Sequence, residues 1–201
     1  LAKKADLINP SSCCGGGTCS STAALLNKDK DKNDQDSPIK INFQKGNPIQ
    51  FTSIQPGEVV VDLGSAMGHD CFIARKKVGD SGLVIGLDIT EAMIAVANKN
   101  CDNHGFQNVQ FRLGDIENMP IAAQKADVVI SDNTFRLLTD KKRGVSEIYR
   151  ILKSKGRFCI SDIFWKGTYS ESALNAADQW VGDMSESIPE DLFMSMLQMQ
   201  G

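Results

Sequence analysis

The chain has 201 residues, of which 41% are hydrophobic and 23% charged, and its 25 acidic residues against 22 Lys and Arg give a net charge of −3. That length suits one well-buried domain rather than two, and the mild acidity speaks against nucleic-acid binding, which shows as a basic surplus or stripe. No apolar run is long enough to span a bilayer and no export signal opens the chain, so the expectation is a cytoplasmic protein with reduced cysteines and neither membrane nor nucleic-acid partners.

Residues 1–38 read as a flexible arm. SSCCGGGTCSS (11–21) is small, glycine-rich and carries Cys13, Cys14 and Cys19, while NKDKDKNDQDS (27–37) has nothing apolar to bury. Residues 39–201 read as one domain. GEVVVDLG (57–64) is a β-branched run ending in glycine and predicts a buried strand. Residues 69–79 have helical spacing. LVIGLDI (83–89) predicts a second strand, and Thr90 is placed to cap a helix that ends near His104 and Gly105. NVQFRLGD (108–115) and ADVVISD (126–132) predict the third and fourth strands. Asp140 begins a helix with Val145, Ile148, Tyr149 and Leu152 on one face, Lys153 and Lys155 near its C-terminus and Gly156 as its left-handed stop. GRFCISDI (156–163) predicts a fifth strand, and residues 171–181 and 189–200 predict helices. Strand–helix alternation implies right-handed crossovers and a doubly wound, Rossmann-like α/β fold. Its parallel sheet is expected in the order 3-2-1-4-5, with helices on both faces.

Chemistry concentrates in VDLGSAMGHD (61–70), a strand, a small-residue turn and a helix start. Such a turn lets a ligand approach the backbone closely, and the helix end offers free N–H groups. Asp88 follows at the end of the second strand, where a carboxylate serves ribose hydroxyls in nucleotide-binding folds. Asp115 closes the third strand, within reach of an adenine amino group. All three signals fall at the carboxyl ends of consecutive strands and point to one crevice. A dinucleotide fingerprint fits poorly, because Ala66 stands where its middle glycine belongs.

The pattern DxGxxxG, then Asp88, then the Gly-Asp pair at 114–115, resembles the class I S-adenosylmethionine-dependent methyltransferases over residues 56–163. The resemblance implies S-adenosylmethionine as cofactor. It places Asp62, Gly64 and Gly68 around the methionine moiety, Asp88 on the ribose, and Asp115 with Ile116 at the adenine, and Ser65, Ala66, Ile89, Met93 and Ser131 complete the implied cofactor set. The class adds an antiparallel hairpin to its sheet edge. No sixth or seventh strand is read before Gly201, so the chain reads as C-terminally truncated.

SSCCGG (11–16), GNP (46–48), DLGSAMGHDCFIARKKVG (62–79), VIGLDITEAMI (84–94), FRLGDIENMP (111–120), DVVISDN (127–133) and EIYRILKSKGRFCISDI (147–163) together look like the arsenite methyltransferases. Trivalent arsenic is soft and suits thiolates. Held by them, its lone pair attacks the sulfonium methyl, mostly through proximity and alignment. The resemblance makes Cys71 an arsenic-holding residue, and its place in the first turn of a helix is expected to lower the thiol's pKa. Cys13 and Cys14 are further candidate ligands. The family's other two arsenic-binding cysteines fall at Asn133 and Asp183, neither a soft ligand. Cys101 and Cys159 read as core. His69, Trp165 and Trp180 are candidates to line the cofactor or acceptor pocket. The expectation is a methyltransferase of a small-molecule or metalloid acceptor, with doubtful turnover of arsenite. The alternatives are methylation of another small organic nucleophile, or metalloid or cofactor binding without turnover.

Overall fold

The structure is a computed structural model and describes residues 47–165 and 188–199. Cys13, Cys14, Cys19, Trp180, Asp183 and the helix expected at 171–181 lie outside the described residues. Five parallel strands form the main sheet in the order β3-β2-β1-β4-β5, as the strand–helix alternation predicts. They are β1 (Val59–Leu63), β2 (Leu83–Asp88), β3 (Val109–Leu113), β4 (Ala126–Asp132) and β5 (Leu152–Ser161). The connecting helices are α2 (His69–Val78), α3 (Glu91–His104) and α4 (Lys141–Ile151), after a short α1 (Pro48–Phe51).

Both faces of the sheet are covered, which is why its central strands are nearly continuous apolar runs rather than alternating ones. Successive side chains still point to opposite faces. Val60, Val84, Val128 and Ile130 pack with Cys71, Ala74, Val78 and Cys101. Val61, Leu63, Ile85, Leu87 and Val129 pack with Val145, Ile148, Tyr149 and Phe158. Cys101 and Cys159 are buried, as core residues should be.

Two helix ends differ from expectation. Thr90 occupies the position before α3, but its side chain makes no capping hydrogen bond. Its backbone N–H donates instead to Asp88 Oδ1 at 2.8 Å. α4 stops at Ile151, so Lys153 and Gly156 lie within β5 rather than at the helix end. Leu152 is already extended and pairs with Ala126. The left-handed residue is Lys155, at φ 67°, where the β4–β5 register shifts. Ladder pairing with β4 therefore ends the helix earlier than its charge pattern suggests.

Beyond β5, β6 (Phe164–Trp165) and β7 (Ile188–Pro189) form a separate two-stranded parallel ladder, unanticipated from the sequence. α5 (Glu190–Gln198) follows and buries Phe193, Met196 and Leu197. No helix among the described residues is long and apolar enough to cross a membrane.

Candidate active site

The strand order places β1 between β2 and β4, and the turn after β1 opens at their carboxyl ends. The backbone itself builds this turn. Gly64 N–H and Ser65 N–H both donate to Leu87 O, at 2.8 and 3.0 Å, and Gly68 N–H donates to Ser65 O at 2.8 Å. Gly64 sits at φ 73° and Gly68 at φ 88°, conformations that L side chains rarely adopt. Neither site has room for a side chain. A Cβ on Gly64 would lie 2.2 Å from Thr134 Oγ1, and one on Gly68 would lie 2.5 Å from Phe111 Cζ.

Asp88 joins this turn to the end of β2. Its Oδ2 accepts Ala66 N–H at 2.9 Å while its Oδ1 accepts Thr90 N–H at 2.8 Å. Each oxygen keeps a further lone pair for a ligand hydroxyl. Asn100 Nδ2 donates to Met67 O at 3.2 Å and holds the turn from α3. Ile89 and Leu113 at the ends of β2 and β3, and Met93 in the first turn of α3, are exposed and form an apolar rim near Asp88. Asp115 is exposed at the end of β3, and its Oδ1 accepts Glu117 N–H at 2.8 Å.

The structure thus brings together Gly64, Ser65, Ala66, Gly68, Asp88, Ile89 and Met93, with Asp115 on the neighbouring strand. Four other expected residues, Asp62, Ser131, Ile116 and Cys71, have buried side chains. Ser131 is wholly buried, and its hydroxyl donates to Leu63 O at 3.3 Å, stitching β4 to β1. Ile116 packs its side chain into the core on the α4 side. Cys71 lies under α2, fully buried, with Sγ 3.2 Å from Asp62 Oδ2. Burial pushes its thiol well above the ordinary value, and the Asp62 carboxylate pushes it further. That reverses the lowered pKa expected at a helix start, because desolvation and a like charge outweigh the helix end.

Sequence reasoning missed Thr134 and Phe111, which shape the turn from distant parts of the chain. Gly86 was a usable signal, since an isolated glycine inside an apolar strand marks close approach. A Cβ there would meet Phe111 and, at 2.7 Å, Ser65 Oγ. Apart from Asn133, the loop after β4 was missed as well. Asn133 is exposed at φ 59°. Asp162 Oδ2 then accepts Arg136 N–H at 2.9 Å, and the Arg136 side chain lies 3.4 Å from Asp162 Oδ1. Burial raises the Asp162 pKa, with the Arg136 and Ile163 N–H groups and the Arg136 charge opposing it.

These features fit S-adenosylmethionine: a carboxylate with spare lone pairs beside an apolar rim, and the buried Ser65 hydroxyl, which has no hydrogen-bond partner among the described residues. A thiolate cluster is another matter. Among the described residues no group of three or more His, Cys, Asp or Glu is arranged to hold a metal ion, and Cys71, Cys101 and Cys159 are all buried.

The chain is similar to known methyltransferases. The family described as "Methyltransferase domain" matches residues 54–201. The arsenite methyltransferase of Halobacterium salinarum is 33% identical over 204 residues, covering 94% of this chain and 52% of the relative. That of Aquipseudomonas alcaligenes is 40% identical over 112 residues, covering 52% of this chain and 32% of the relative. The crystal structure of an arsenic(III) S-adenosylmethionine methyltransferase from Chlamydomonas reinhardtii superposes with a TM-score of 0.67 at 29% identity. It covers 75% of this chain and 53% of its own. The chain therefore spans about half the length of the first of these relatives.

Proposed function

The chain belongs to the methyltransferase domain family, the S-adenosylmethionine-dependent methyltransferases, and on that premise we propose that it transfers a methyl group to a small acceptor of the arsenite type. The observation that carries this reading is Asp88, fastened by Ala66 N–H and Thr90 N–H beside the glycine turn. When bound, S-adenosylmethionine supplies an electrophilic sulfonium methyl. Asp88 would hold the ribose through its remaining lone pairs, with Ile89 and Met93 against the adenine and Asp115 near its amino group. Gly64 and Gly68 let the turn close against Thr134 and Phe111 in a backbone shape that side chains disfavour, and that turn would face the methionine end. Methyl transfer to a soft nucleophile needs little proton traffic, and the protein's task is alignment.

In this reading residues 39–201 are the catalytic domain and 1–38 an arm. The acceptor side is depleted of thiolates. Asn133 and Asp183 stand where the arsenite methyltransferase pattern has cysteines, and Cys71 is buried. The thiols left to hold trivalent arsenic are then those of the arm, Cys13 and Cys14 with Cys19 beside them. A cytoplasmic setting rests on the sequence reading alone, and the acidic balance supports a small acceptor rather than nucleic acid. We expect slow arsenite methylation, since loosened positioning costs on the order of a hundredfold in rate. An assay with cofactor, arsenite and a thiol checks this. Asn133→Cys with Asp183→Cys should raise turnover, and rapid methylation by the unmodified chain, unaltered by those replacements, would contradict the reading.

A further inference from the structure

The resemblance to the arsenite methyltransferases implies an arsenic-holding role for Cys71, yet its surroundings suit a different task. α2 lays its thiol against the end of β1, 3.2 Å from Asp62 Oδ2, and neither residue reaches solvent appreciably, at 0% and 3% exposure. Asp62 is two residues before Gly64 and shares the α2 face of the sheet with Val60. Burial and the neighbouring carboxylate keep the proton on sulfur. A protonated thiol donates a hydrogen bond, whereas metal and metalloid ligation needs the thiolate. A thiolate here would face a carboxylate within hydrogen-bonding distance, in a buried place where like charges repel strongly.

We propose that Cys71 is a positioning residue for the cofactor crevice: its S–H holds the Asp62 carboxylate at the foot of the glycine turn, and so sets cofactor affinity rather than holding arsenic. The proposal rests on the reading of that crevice as the S-adenosylmethionine site. Hydrogen bonds to a buried charge are worth more than neutral ones, so losing the S–H loosens the hold on the Asp62 carboxylate. Serine keeps a donor at nearly the same place. Alanine does not.

The test measures S-adenosylmethionine affinity by calorimetry, and arsenite retained after dialysis, for the unmodified chain, Cys71→Ser and Cys71→Ala. Serine should stay within about threefold of the unmodified affinity and alanine should weaken it on the order of tenfold, while arsenite retention is the same in all three. Equal affinity in all three chains, or a serine variant as weak as alanine, would overturn the proposal. So would loss of arsenite from both variants with cofactor affinity unmoved. Asp88→Ala runs alongside as a control. If it too leaves affinity unchanged, the crevice reading has failed, which is distinguishable from failure at Cys71 alone. Should Cys71→Ala not fold, thiol labelling of the unmodified chain decides. Slow labelling of Cys71, unaffected by arsenite, supports positioning, and fast labelling that arsenite blocks overturns it.

Discussion

Thr134 and Gly64 meet from the loops after β4 and β1, far apart in sequence, and that contact makes the turn intolerant of even one methyl group. Gly64→Ala would combine a left-handed backbone conformation with a Cβ 2.2 Å from Thr134 Oγ1. We expect a stability loss of roughly 2 kcal/mol or more, read from denaturant unfolding, together with weakened cofactor binding. Ser131 gives the opposite pattern. Its hydroxyl is spent inside the sheet on Leu63 O. Ser131→Ala should cost about 1 kcal/mol of stability and leave cofactor affinity unchanged. At this scale the sequence was legible where spacing alone carries meaning, as at Gly64, Gly68 and Asp88. It was not legible where packing decides. Nothing in the string around Cys71 says which way that turn of helix faces, and a sheet-facing thiol beside Asp62 has the reverse of the reactivity that a helix start suggests.

Among the elements, α4 and the 114–121 segment are fastened together by charge. Asp140 caps the helix by accepting Arg143 N–H at 3.0 Å, and Asp140→Ala should lower stability by about 1 kcal/mol. Arg150 donates to Ile121 O and Met119 O, and Glu147 Oε2 accepts Met119 N–H at 2.7 Å. The Arg150 hydrogen bond holds the Glu147 pKa below its usual 4.5, with burial opposing and the Met119 N–H assisting. A folded-state value below the unfolded one means that Glu147 stabilises the fold above pH 4.5, and that this contribution fades as pH falls through the lowered value. The unmodified chain should therefore lose stability more steeply below that pH than Glu147→Gln, as thermal melts across the acid range would record. Of these elements, β4 was readable to the residue because its apolar run is bounded by polar signals on both sides. The α4–β5 junction was not, since Lys153 and Gly156 suit a helix end equally well until Leu152 finds Ala126 across the ladder.

For the whole molecule, alternation of strands and helices was enough to foretell the sheet order, and the order fixes where a crevice opens. The β6–β7 ladder was hidden because two-residue strands carry no periodicity. The acceptor side was readable only as a departure, Asn133 and Asp183 for cysteines, since residue types say what cannot bind softly but not what binds instead. The central claim is that the carboxyl ends of β1 to β3 hold S-adenosylmethionine through Asp88. Calorimetric titration of the full chain and of Asp88→Ala tests it most directly. One cofactor per chain should bind, and the replacement, which removes charge-assisted hydrogen bonds to the ribose, should weaken binding by about 2–3 kcal/mol. An unmodified chain that binds no cofactor, or an Asp88→Ala chain that binds it equally well, would contradict the claim.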